Sequence, residues 1–333
     1  MEKDRTNCLE SSKVNPISLL VLVVLFISFH ITNISYGAEP GKADKFPSKP
    51  IKIMLPVMGG SSTREMMLIT PFLEKKLGVK TVIEYVVGAE GLVMYNRFSK
   101  EKPDGYTVSY FGSTSPISLE LTRENANYSV KDFSAIGAWN IKSQMLVTNP
   151  DNWETFSDFL NAAKQKGLSV ASSGGTGEIQ YRLMEMALGT KFKWVPYTAT
   201  NESLAAVAGK HVDALLTYSI SAFAMIRAGK LKGLAVFSKQ RDPFFPEVPT
   251  LKELGYEGVP LLLIYGMFAA PPRTPKQIIA VLEKALSEVC ADPEFNKLYR
   301  NMGSTVDFKC TFDLEQIIAE NYEVLRKYKP AAQ

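Results

Sequence analysis

From Lys52 onward, short apolar runs alternate with stretches in which apolar residues return every three or four positions. "IKIMLPV" reads as a strand and "REMMLITPFLEKKLG" as a helix closed by Gly78. "TVIEYVV", "YTVSYFG", "LSVASS", "KWVPY", "VDALLTYS" and "LKGLAVFS" are further strands by the same pattern. Between them "GLVMYNRFSKEK", "TFSDFLNAAKQKG", "EIQYRLMEMALG", "NESLAAVAGK" and "ISAFAMIRAGK" repeat with helical spacing. Strand–helix alternation with short glycine-bearing connections predicts an α/β protein with largely parallel sheets. The C-terminal third predicts helices at "TPKQIIAVLEKALSEVC", "DPEFNKLYRNMG" and "TFDLEQIIAENYEVLRKY", each opening on a Thr or Asp suited to an N-cap.

The alternation breaks twice, around Leu146–Asn152 and at "VPLLLIYGMFAAPPRTP". Paired breaks of this kind suit a chain that leaves one domain, builds a second and returns. The expected division is residues 46–148 with 264–333 as lobe 1 and residues 149–263 as lobe 2. Ligands of open α/β sheets bind beyond the carboxyl ends of the strands, often between domains. A cleft between two lobes is therefore the predicted site.

The region before this pattern has a different composition. A leader carrying Lys3, Arg5 and Lys13 precedes an uncharged stretch of roughly 20 residues, Pro16 to Gly37, that ends in small residues. This order of parts predicts a signal peptide, residues 1–37, cleaved after Gly37. The alternative is an uncleaved anchor, because the run is almost long enough to span a bilayer. About 296 residues then remain, enough for one large or two medium domains. The formal charge of +4 is unchanged by the cut. With no basic tracts or interleaved aromatics, nucleic-acid binding is not expected. Cys290 and Cys310 survive the cut and are either a disulfide or two separate buried thiols, which spacing alone does not decide. His211 is the one histidine left, at a predicted helix-to-strand turn.

Four strand-to-loop junctions share one composition: "PVMGGSST", "FGSTSP", "ASSGGTGE" and "TYSIS". Glycine permits close backbone approach, Ser and Thr supply short donors, and a following helix adds unpaired N–H groups with partial positive charge. One such junction is an ordinary capped turn. Four of them, drawn from both halves of the alternation, predict a cleft that surrounds a small anion.

Enzymatic alternatives lack their parts. No GKS or GKT follows the glycines of "GGSSTR", and "GAEGLV" falls short of GxGxxG. No GxSxG elbow is present, only His211 would serve as a base, and no His/Cys/Asp cluster has zinc spacing. Neither catalysis, a metal nor a cofactor is expected.

The motifs "FPSKPIKIMLPVMGGSST", "KPDGYTVSYFGST", "DFSAIGAW", "SVASSGGTG", "VPYTATNESLAAVAGKHVDALL", "IRAGKLKGLAVFSKQRDPFFPEVPTLKELGY" and "YGMFAAPPRTP" stand in an order that resembles the Bug-type periplasmic solute receptors of tripartite tricarboxylate transporters. The likeness runs from about Phe46 to Tyr328. It implies a two-lobed, periplasmic-binding-protein-like fold of type II with a ligand cleft between the lobes. It also implies a periplasmic, monomeric receptor that closes on a small organic carboxylate and presents it to membrane permease subunits. A sensor that feeds a signalling partner is the alternative reading. Carried over by motif, the ligand-binding residues are Ser61, Ser62, Thr63, Ser113, Thr114, Ser173, Gly174, Gly175, Thr176 and Tyr197, with Thr217 where an aspartate is frequent.

Three departures bear on the ligand. The family loop Pro-Gly-Gly-Ser-Thr-Asp carries Arg64 in the aspartate's place, and Gly-Ala-Gly-Gly-Asn becomes "GAEGL", with Glu90 and Leu92. A frequent Trp before Gly266 is Tyr265. Arg64 is expected either to hold a distal carboxylate or to point outward and pair with Glu65 or Glu90. Tyr197, Tyr218 and Tyr265 near the predicted rim would also suit an aromatic carboxylate.

Overall fold

A computed structural model describes residues 46–173, 178–197, 199–257 and 261–328; the predicted signal peptide lies outside them. The chain begins with β1 (Ile51–Leu55), α1 (Gly60–Leu77), β2 (Thr81–Tyr85), α2 (Leu92–Phe98), β3 (Thr107–Gly112), α3 (Ser115–Thr122) and β4 (Ser134–Ile141). It continues with β5 (Gln144–Thr148), α4 (Phe156–Lys166), β6 (Ser169–Ser173), α5 (Glu178–Leu188) and β7 (Lys193–Tyr197). Next come α6 (Thr200–Ala208), β8 (Ala214–Tyr218), α7 (Ser219–Arg227), β9 (Lys232–Phe237) and β10 (Tyr265–Ala270). The chain ends with α8 (Lys276–Cys290), α9 (Pro293–Asn301), β11 (Lys309–Cys310) and α10 (Thr311–Lys327).

The strands form two sheets, β11-β4-β10-β3-β1-β2 and β7-β6-β8-β5-β9. The order 2-1-3 of the parallel trio in the first sheet recurs as 7-6-8 in the second. An antiparallel strand follows the third member in each case, β10 beside β3 and β5 beside β8. Both antiparallel strands are those by which the chain enters one sheet from the other. An incoming strand starts at the interlobe end, where the parallel strands finish, so it runs against them. The sheets are accordingly mixed, where the alternation alone predicted largely parallel ones.

The same pairing locates the first crossing. β5 lies in the second sheet, between β8 and β9. The chain therefore passes between sheets at Lys142–Ser143, a few residues before the break read from composition. Gln144–Thr148 is buried along its whole length. A strand buried on both faces carries no polar alternation to say which sheet it joins.

Both faces of each sheet are covered. Ile51, Ile53 and Leu55 pack with Met66 and Ile69 of α1 and Leu286 and Val289 of α8, while Met54 faces Leu92, Phe98 and Leu314 on the other side. In the second sheet Leu146, Val170 and Leu216 meet Phe159 and Leu160 of α4, while Met145, Ala171 and Leu215 meet Leu204 and Val207 of α6. Period-two alternation of strand side chains thus supplies two cores per sheet.

Of the three C-terminal helices, α9 has the expected cap: Asp292 Oδ1 accepts from the Glu294 N–H at 2.8 Å. Thr274 instead donates to the Pro271 carbonyl, and Thr311 opens α10 while its hydroxyl donates to the Ile136 carbonyl. Cys290 is a free, buried thiol, so it is not bridged to Cys310. Burial pushes that thiol up, well above its ordinary range.

Candidate functional site

Between the sheets lies a narrow cleft lined from both lobes. The first lobe contributes the β1–α1 loop, from Pro56 and Val57 through Gly59, Gly60, Ser61 and Ser62. It also contributes Glu90 and Tyr95, and, around the end of β3, Tyr110, Gly112 and Ser115. The second lobe contributes Thr200, Thr217 and Tyr218.

Four helices begin at this lining: α1 at Gly60, α3 at Ser115, α6 at Thr200 and α7 directly after Tyr218. None of the four has a side-chain N-cap, and α1, α3 and α7 carry no acid in the first turn. By contrast α4, away from the cleft, closes on a complete capping box between Thr155 and Asp158. A missing cap is not in itself diagnostic, since α8 and α10 also lack one. What distinguishes the cleft is convergence. Four positive dipole ends meet in one space, although the Ser219 N–H of α7 is already given to the Ser143 carbonyl and Pro116 of α3 has none to give.

Local sequence explains how α1 reaches so far. The helix starts at Gly60, four residues earlier than its apolar periodicity suggests, because Gly59 (φ 85°) and Gly60 (φ 71°) take left-handed backbone conformations. Thr63 Oγ1 accepts the Gly59 N–H at 2.9 Å and tightens the turn. Ser61 and Ser62, both nearly buried, then face the cavity in the first helical turn.

The phenols of the lining are arranged as donors. Lys142 Nζ donates to Tyr110 Oη at 2.8 Å, which leaves the Tyr110 proton for another acceptor. Tyr218 forms a side-chain hydrogen bond with Thr114 across the lobes. Burial pushes Tyr95, Tyr110 and Tyr218 upward, with Lys142 partly opposing the effect at Tyr218, so all three remain protonated at neutral pH. Protonated phenols and uncapped helix starts match the acceptor oxygens of an anion.

Among the residues singled out from the sequence, Ser61, Ser62 and Thr217 line the cavity. Thr63 holds the loop, and Thr114 is the buried residue preceding α3. Ser113 is fully buried and used internally: its hydroxyl donates to the Leu263 carbonyl and accepts the Tyr265 N–H. Tyr197 is half-buried at the end of β7, packed toward the α6 core and outside the lining. Ser173 ends β6, in register with Tyr197. Gly174, Gly175 and Thr176 lie outside the described residues. Arg64 is exposed and outside the lining; its Nη2 donates to the Ile220 carbonyl of α7 at 3.3 Å.

Sequence reasoning passed over Thr200, Ser115, Tyr95 and Tyr110 as lining residues. Thr200 had a signal, because it stands in a small polar run between the strand ending "VPY" and the following helix. Tyr95 and Tyr110 had none, since an aromatic in a helix or strand reads as core.

Fold and cleft together define a two-lobed α/β binding protein of the periplasmic receptor class. Residues 68–329 match the tripartite tricarboxylate transporter family receptor profile, and the chain belongs to that family. The family is one of solute-binding receptors, not enzymes. A similar relative is the protein BugT of Bordetella pertussis, 27% identical over 303 residues, covering 88% of this chain and 90% of BugT. Among solved structures, MatC of Rhodopseudomonas palustris with bound malate superposes with a TM-score of 0.77 at 23% identity, covering 85% of this chain and 99% of MatC. Rpa4515 of R. palustris with adipate gives a TM-score of 0.78 at 20% identity, covering 85% of this chain and 97% of that one. Among the described residues no helix is long and apolar enough to cross a membrane.

Proposed function

We propose that this protein is an exported receptor that captures a small carboxylate by closing its lobes and delivers it to the permease of a tripartite tricarboxylate transporter. The carrying observation is the convergence of four uncapped helix starts on one cleft, with Ser61, Ser62, Tyr110, Thr217 and Tyr218 around it. Carboxylate oxygens would take backbone N–H groups and hydroxyls from both lobes, so binding favours the closed arrangement. Malate and adipate in receptors of the same fold support a carboxylate as the ligand. Export follows from the N-terminal segment, cleaved after Gly37. The lobes meet at Lys142–Ser143 and again before β10. Residues 46–141 and 264–328 form lobe 1, and residues 144–263, where described, form lobe 2.

Arg64 belongs to the rim in this reading, as a latch between α1 and α7. A thermal-shift screen of the processed protein with mono-, di- and tricarboxylates and their neutral amides tests the reading. At least one carboxylate should raise the midpoint, since a ligand of the folded form alone stabilises it in proportion to ln(1 + [L]/Kd), and its amide should not. A protein that no carboxylate shifts is not this receptor.

A further inference from the structure

Glu90 is the one acidic or basic side chain among the described residues that line the cleft. It stands in an unusual loop: Gly88, Ala89, Glu90 and Gly91 have φ values of 138°, 45°, 59° and 105°. Left-handed backbone at a non-glycine residue is uncommon and clusters at functional sites. The loop is also clamped. A β-carbon on Gly91 would lie 2.9 Å from Pro56 Cβ and 3.2 Å from Tyr95 Cε2, both side chains of the lining. This constrains the backbone from which Glu90 projects. Its side chain remains 53% exposed, and its ion-pair partner, Arg123, stands 3.8 Å away, at the long end of such contacts.

Apart from Arg123, the cations near the cleft face elsewhere. Arg64 is outside the lining and donates to the Ile220 carbonyl. Lys142 lies behind Tyr110, 2.7 Å from Glu65 Oε1. The cavity therefore offers neutral donors at its helix starts and, at Glu90, a carboxylate held only by the long contact to Arg123. One end of the ligand is matched by the donors. A second carboxylate reaching Glu90 would meet like charge, whereas an ammonium would compete with Arg123 for it.

Resting on the carboxylate reading above, we infer that the ligand is an amino carboxylate, in which a carboxylate docks at the helix starts and an ammonium at the other end pairs with Glu90. Specificity follows from both ends. The helix starts reject amines lacking an acid, and Glu90 rejects diacids of the same length.

Calorimetric titration of the processed protein tests this with three ligand sets of matched chain length: ω-amino carboxylates, dicarboxylates and plain monocarboxylates of four to seven carbons. The expected result is that the best amino carboxylate binds at least tenfold tighter than its matched dicarboxylate. Glu90→Gln should remove that preference by weakening the amino carboxylate tenfold or more. Glu90→Gly, which suits the left-handed backbone, should do the same and covers the case of a poorly folding Gln variant. A wild-type protein that binds dicarboxylates as tightly or more tightly overturns the inference and leaves the carboxylate receptor standing. So does a preference that survives both substitutions. If no ligand of the three sets binds, the receptor reading falls, and this inference with it.

Discussion

Lys142 Nζ lies 2.7 Å from Glu65 Oε1, with 2% and 0% of the two side chains exposed. The pair joins two parts with different tasks. Glu65 is on α1, one turn beyond Ser61 and Ser62 of the lining, whereas Lys142 is in the two-residue crossing between the sheets. Lys142 also holds Tyr110, and its ammonium sits 5.4 Å from the Tyr218 ring centroid in the other lobe. A single buried cation thus fixes the start of α1, a cleft phenol and the crossing at once.

Burying two charges is costly, and removing one partner strands the other. Lys142→Met should therefore destabilise the protein by about 3–5 kcal/mol, a large part of the stability of an ordinary domain. Replacing both, in Glu65→Leu with Lys142→Met, should recover most of that loss, because an apolar pair has no charge to desolvate. Glu65 Oε2, which has no hydrogen-bond partner among the described residues, strengthens this expectation. Urea unfolding of the two single variants and the double variant provides the check. A double variant no more stable than the singles would show that the pair contributes net stability.

Arg64 reaches from α1 to the first turn of α7 through its bond to the Ile220 carbonyl. The contact is long at 3.3 Å and solvent-facing, so its loss should cost about 0.5–1 kcal/mol, roughly two- to fivefold in affinity. Because the latch acts on closure and not on the ligand, Arg64→Ala should weaken every bound carboxylate by the same factor. Calorimetry on one mono- and one dicarboxylate distinguishes this from direct contact. A loss confined to the dicarboxylate would put the guanidinium on its distal acid group.

The alternation of apolar runs and amphipathic stretches carried the α/β class, because both periodicities are local. The start of α1 at Gly60 and the sheet membership of β5 were not legible in that way. A glycine has no side chain to show a period, and β5 is buried at every position, on both faces. In the site, small and hydroxyl residues at "GGSST" and "TYSIS" pointed to Ser61, Ser62 and Thr217. Ser113 carried the same signal yet spends its hydroxyl on Leu263 and Tyr265, because hydroxyl chemistry looks alike whether it serves a ligand or the backbone. The Glu65–Lys142 pair links residues 77 positions apart. No local pattern marks so distant a partner.

Acid should weaken the second lobe at a definable point. Arg241 and the Thr250 N–H hold the Glu253 carboxyl down to about 2. An unfolded glutamate titrates near about 4.3. A carboxyl lowered by folding contributes stability that is fully present above the unfolded value and is lost as pH falls toward the folded one. The midpoint difference between wild type and Glu253→Gln should thus be constant above about pH 5 and shrink between about pH 4.5 and 2. Thermal melts across that range measure it, and a difference independent of pH would remove Glu253 from the acid response.

Gly60 and Gly78 sit at opposite ends of α1 with nearly equal backbone angles, φ 71° and 72°. Alanine at either should strain the backbone alike, costing about 1 kcal/mol or somewhat more. Their surroundings differ. A β-carbon at Gly78 meets nothing within 4 Å, whereas one at Gly60 would stand 3.3 Å from Thr200 Oγ1 on the opposite lobe. That spacing is tight, and it lies where the first turn of α1 approaches the start of α6. Gly78→Ala should therefore lower the melting midpoint and leave carboxylate affinity unchanged. Gly60→Ala should lower the midpoint by a similar amount and also weaken binding about tenfold, because the added methyl holds the lobes apart at the point where their helix starts converge. Titration of both variants with the same carboxylate, beside their unfolding curves, separates strain from closure. Equal affinities in the two would mean that the Gly60–Thr200 approach has no part in capturing the ligand.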